Sequence, residues 1–123
     1  MPLDAKWAAF AQNDIFSAEV LLKEKVWNQV CFHSQQAVEK FLKGTLPAES
    51  RPRTHKIADL VRRTDFLGLD DDLKAQLRLL DRFYIPSRYP DALPGTLEEG
   101  MPSEKDARDS LHAAKALESA LGL

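Results

Sequence analysis

Within residues 29–43 the chain carries Gln29, His33, Gln36, Lys40 and Lys43 at helical spacing. Wound at roughly 100° per residue, these side chains gather on one face. They supply an imidazole, amides and ammonium groups, with no carboxylate among them. Such a stripe donates hydrogen bonds and positive charge, which suits an anionic ligand. The opposite side of the same segment holds Val30, Cys31, Ser34, Ala37, Val38, Phe41 and Leu42, a core-facing arc. A polar helix face is ordinarily just solvated. Phe32 argues for more, because it sits on the shoulder of the stripe, where a monomer gains nothing from an aromatic ring.

A second group of chemistry-bearing residues lies in Phe83-Tyr84-Ile85-Pro86-Ser87-Arg88-Tyr89-Pro90-Asp91. The stretch is too aromatic for a passive linker, and Pro86 and Pro90 stiffen it. Two readings stay open. Tyr84 and Tyr89 could plug the end of a bundle while Arg88 pairs with Asp91, or Arg88 could point along a groove and bind an anion.

The elements that must position these groups are all helical. Residues 4–24 carry Ala8, Ala11, Ile15, Ala18 and Leu22 at spacings of three and four, with Asp4 able to cap the start. A second helix runs from about Trp27 to Leu46 and ends at Pro47. Thr54 is positioned to cap a short third helix with inner residues Ile57, Leu60 and Val61. Asp70, Asp71 and Asp72 place negative charge at the start of a fourth, where the helix dipole favours it. After the connection Ile85–Pro102, Ser103 and Asp106 form a capping-box pattern for a last helix with Ala107, Leu111, Ala114, Leu117 and Leu121 inward. No alternating strand pattern occurs. The expected architecture is all-α, an antiparallel up-and-down four-helix bundle with an additional short helix, forming one domain over residues 1–123. A connection as long as 85–102 is unusual in a compact bundle and more often functional than idle.

Composition narrows the function classes. The net charge of −2 gives no overall basic field to attract nucleic acid, so any such contact must be local. Cys31, the one cysteine, lies on the apolar arc, which suits a reducing compartment. The N-terminal residues lack a signal-peptide pattern, and no apolar run approaches the ~18 residues that span a bilayer. A cytoplasmic location is expected. His33, His55 and His112 fall on different elements without metal-ligand spacing, and no phosphate-cradling glycine loop occurs, so no metal or cofactor is expected.

Three blocks together resemble the HEPN domain family, the "higher eukaryotes and prokaryotes nucleotide-binding" domains. They are Trp7, Ala11, Asp14, Ile15, Ala18, Leu21 and Leu22; then Cys31 to Lys43 with Arg53-Thr54-His55; then Tyr84 to Asp91. The resemblance implies a helical bundle that commonly forms homodimers. It implies a nucleotide or RNA ligand, and a minimal nucleotidyltransferase as partner protein in a toxin–antitoxin-like pair. Some members of the family are toxins that cleave RNA without a metal. Those carry an Arg followed, after four to six residues, by a His. The His can move the 2′-hydroxyl proton and the Arg can stabilise charge building on phosphorus.

This chain departs from that pattern, since Arg88 is followed by Tyr89, Pro90, Asp91, Ala92, Leu93, Pro94 and Gly95. The pairs Arg51/His55 and Arg108/His112 have too short a spacing, and Arg108, His112 and Lys115 read as a wet outer stripe. The expectation is a non-catalytic nucleotide- or RNA-binding protein whose groove is lined by His33, Gln36, Lys40, His55, Ser87, Arg88 and Asp91. Amide and imidazole would meet base or ribose edges there, and Lys40 and Arg88 the phosphates, with Phe32 in a homodimer interface. The alternatives are a metal-independent ribonuclease toxin and a structural dimerisation module.

Overall fold

A computed structural model describes residues 3–83 and 101–123. Tyr84, Ser87, Arg88, Tyr89 and Asp91 lie outside the described residues. Among the described residues there are five helices and no strands: α1 (Ala5–Lys23), α2 (Trp27–Gly44), α3 (Ile57–Arg63), α4 (Asp71–Leu79) and α5 (Glu104–Ala120), with short 3-10 turns at Ala48–Ser50, Asp65–Leu67 and Leu80–Phe83. The four-helix bundle with one short extra helix is the architecture observed.

Local side-chain caps open α1, α4 and α5. The Asp4 carboxylate accepts from the backbone N–H of Lys6 (2.9 Å) and of Trp7 (3.3 Å), opening α1. Asp70 accepts from Leu73 N–H at 2.7 Å to open α4, and Ser103 with Asp106 forms a reciprocal capping box on α5. The start of α3 differs from the sequence expectation. Thr54 Oγ1 accepts from Lys56 N–H, outside the helix. The orphan N–H groups of Ile57 and Ala58 are met instead by the carboxylate of Asp81, at 2.6 and 3.0 Å. The cap thus comes from a residue distant in sequence, which no local pattern could show.

Helix α2 is central, lying between α1 and α5 and touching α3 and the Leu80–Phe83 turn. Its whole apolar arc, Val30, Cys31, Ser34, Ala37, Val38, Phe41 and Leu42, is buried as its spacing requires. The core-facing alanines of the flanking helices pack inward. Ala8, Ala11 and Ala18 of α1 and Ala107, Ala113 and Ala114 of α5 are buried. Small side chains let these helices approach α2 closely. One close approach is at Gly44, whose carbonyl accepts from Asp4 N–H at 2.9 Å. A Cβ there would stand 2.8 Å from both Leu3 Cδ1 and Trp7 Cβ. The fold therefore ties the start of α1, and Trp7 with it, to the end of α2.

Candidate functional site

The site is built on the polar face of α2, and its organiser comes from α1. Asp14 sits one helical turn from Ala11 and Ala18, on the inward arc of α1, and is buried. A carboxylate in that position needs partners. Its Oδ1 lies 2.8 Å from Nδ1 of His33, and its Oδ2 lies 2.5 Å from Nζ of Lys40. An ionised carboxylate only accepts hydrogen bonds, so Nδ1 of His33 carries the proton in this contact. The ring's second nitrogen, Nε2, is then the one left to meet a ligand. Lys40 retains donor capacity beyond the hydrogen it gives Asp14, because an ammonium has three donors. One buried carboxylate thus holds an imidazole and an ammonium side by side, at a surface where each is about a quarter exposed (26% and 27%).

A second carboxylate, Glu39, organises the other flank of α2. Lys43 Nζ donates to Glu39 Oε2 at 3.1 Å, and both side chains are buried. His55 Nδ1 lies 3.3 Å from each Glu39 oxygen. Gln36 Nε2 donates to Gln35 Oε1 at 2.7 Å, and Gln35 Nε2 donates in turn to the backbone carbonyl of His55 at 3.1 Å. Arg51 fastens the same segment by donating through Nε to the Lys43 carbonyl at 2.8 Å. Residues 51–56 are therefore stitched onto α2, which carries His55 to the edge of the polar face.

This corrects the picture of a carboxylate-free cationic stripe. Asp14 and Glu39 lie beneath it, and Lys43 belongs to the buried lattice. Of the expected groove residues, His33 and Lys40 are brought together on Asp14, while His55 sits on Glu39 at the other flank of α2, with Gln36 linked to it only through Gln35. Ser87, Arg88 and Asp91 lie outside the described residues. Phe32 is half-buried, with its ring edge-on to His33 at 5.2 Å between centroids. Arg108 is exposed and paired with Glu104 at 2.9 Å, as a wet outer face requires. Among the described residues no cluster of His, Cys, Asp and Glu could hold a metal. No described helix is long and apolar enough to cross a membrane.

Sequence reasoning missed Asp14 and Glu39 as members of the site. The signal was legible: each is a carboxylate on a face otherwise destined for burial, and burial demands a cationic partner. It also missed the wall formed by Trp7 and Phe10 beside Lys40. Phe10 is 64% exposed, on the side of α1 that apolar periodicity assigns to solvent.

An all-helical bundle with a central polar helix, its donors aligned by buried carboxylates, defines the class of the protein. The HEPN domain model matches residues 5–121, and the chain belongs to that family. Two solved structures are similar to it. One is TT1696 from Thermus thermophilus, at 28% identity and a TM-score of 0.80, covering 95% of this chain and 94% of that one. The other is ST0689, described as an archaeal HEPN homologue, at 27% identity and a TM-score of 0.71, covering 99% and 97%. None of the curated proteins matches.

Proposed function

We propose that this chain is a non-catalytic nucleotide- or RNA-binding HEPN protein of the cytoplasm. On this reading it works as a homodimer beside a minimal nucleotidyltransferase, in a toxin–antitoxin-like pair. The observation that carries the binding reading is Asp14 holding His33 and Lys40 together at the surface. Donors fixed in advance by a buried carboxylate lose little freedom when a phosphate or ribose arrives. Lys40 then supplies charge-assisted hydrogen bonds to phosphate, with Arg88 as its partner from the 85–102 connection. His33, Gln36 and His55 face base or ribose edges, with Ser87 and Asp91 completing the groove. Dimerisation is supported by apolar surface on the outer side of α1, where Phe16 is 67% and Val20 43% exposed.

Ligand binding to the native state raises the melting temperature by mass action, and a nucleotide at a hundred times its Kd adds about 2.7 kcal/mol. A panel of nucleotides should therefore raise the melting temperature of the wild-type protein. A transition that no nucleotide moves would leave only the structural-module reading.

One observation favours the ribonuclease alternative. With Nδ1 on Asp14, a neutral His33 presents Nε2 as a general base. Against it stands the absence of a His after Arg88 at the family's spacing. Labelled RNA incubated with the protein in a chelator should remain intact. Cleavage that disappears in His33→Ala would establish the ribonuclease instead.

A further inference from the structure

Beside the Asp14–His33–Lys40 cluster, α1 and α2 flank an open pocket of about 340 Å³ lined by Lys6, Trp7, Phe10 and Lys40. Its volume lies within the ~300–1,000 Å³ typical of small-ligand sites. The lining is almost wholly apolar, two aromatic rings with Lys6 and Lys40, and contains no carboxylate. Neither ring is where the core needs it. Phe10 is largely exposed, and Trp7 is only half-buried.

Trp7 is nonetheless held firmly. Its backbone N–H is fixed to the capping Asp4, its Cβ abuts Gly44, and the Arg51 guanidinium lies 5.1 Å from its ring centroid. Arg51 is itself fastened to the Lys43 carbonyl and lies 3.4 Å from Asp4. Several residues from three parts of the chain thus fix one aromatic wall. Lys40, which lines the pocket, also belongs to the donor pair on Asp14. A flat apolar ring suits this lining, with Lys6 and Lys40 beside it to meet an anion that the ring carries.

We propose that the pocket is the base subsite of a nucleotide-binding site, with the nucleobase packing against Trp7 and Phe10 and its phosphate on Lys6 and Lys40. The proposal rests on nucleotide binding by the α2 face and names where the base goes. Stacking on aromatic side chains tolerates any base, since every base has a π-face. The subsite therefore selects for a nucleobase and not for its identity.

Trp7 and Trp27 are the tryptophans of the chain, so Trp27→Phe leaves Trp7 as the sole fluorophore. In that variant, titration with 5′-AMP should quench the emission saturably. Ribose 5-phosphate, which lacks the base, should bind more weakly and leave the emission unchanged. Phe10→Ala should weaken AMP binding roughly tenfold, as loss of one base–aromatic stack does. It should leave ribose 5-phosphate binding as it was. Phe66→Ala, an exposed aromatic away from the pocket, should alter neither. If calorimetry detects AMP binding while Trp7 emission stays flat and Phe10→Ala binds normally, the base sits elsewhere: the subsite is wrong and nucleotide binding stands. If the wild-type protein binds no nucleotide, both readings fall. If Phe10→Ala instead halves the solution mass, a second copy covers the pocket and the proposal is overturned.

Discussion

Cys31 shows how much burial alone does to one side chain. Enclosed in the core, with the Ser110 hydroxyl 3.7 Å from its sulfur, its thiol is pushed by burial from 9.0 up to about 12. The unfolded chain releases this proton near pH 9, whereas the folded chain keeps it to about pH 12. The stabilising effect is complete below pH 9 and is lost as pH rises from there through the folded value. Urea midpoints should therefore fall more steeply between pH 9 and about pH 11 in the wild type than in Cys31→Ala. Parallel slopes would show that the thiol is not protected. Ser34 makes a complementary case. Its buried hydroxyl has no hydrogen-bond partner among the described residues. Ser34→Ala removes an unsatisfied group and should leave stability equal or higher by about 1 kcal/mol, measured by urea denaturation. A clear loss would mean that the hydroxyl is in fact partnered.

The helices depend on contacts from distant parts of the chain as well as on their own patterns. Helix α3 has no side-chain cap at Lys56, and Asp81 supplies one from beyond α4. Asp81→Ala should cost about 1–2 kcal/mol in urea denaturation, as loss of a good helix cap does. An unchanged midpoint would show that water serves those N–H groups equally well. At the junction of α1 and α2, Gly44→Ala forces a methyl against Leu3 and Trp7. It should destabilise by about 1–3 kcal/mol, the range of overpacked sites. Only some of these features were legible in the sequence. The seven inward residues of α2 were readable from spacing alone, because burial follows directly from the 3.6-residue period. The caps Asp4, Asp70 and Ser103 were readable because a cap is a local event. Asp81 was not, since its partner lies on the far side of α4. Asp14 and Glu39 were visible only as charges on the wrong face, and which cations they meet depends on how α1 and residues 51–56 lie on α2.

At the scale of the whole molecule, the core-facing alanines of α1 and α5 let both helices pack against α2. Among the exposed apolar side chains are Phe16 and Val20 of α1. Light scattering at micromolar concentration should give twice the chain mass of 13.9 kDa, and Phe16→Glu or Phe32→Glu should shift the protein toward monomer. The chain mass across that range would refute the dimer. The account's central claim is that donors aligned on α2 bind a nucleotide phosphate. Titration calorimetry of 5′-AMP into the wild type, Lys40→Ala and Arg88→Ala tests it most directly. Binding to the wild type is expected, weakening as salt rises. Each variant should weaken it roughly tenfold, the size of a lost charge-assisted hydrogen bond. Wild-type affinity in both variants, or no binding to any of the three, would contradict the account.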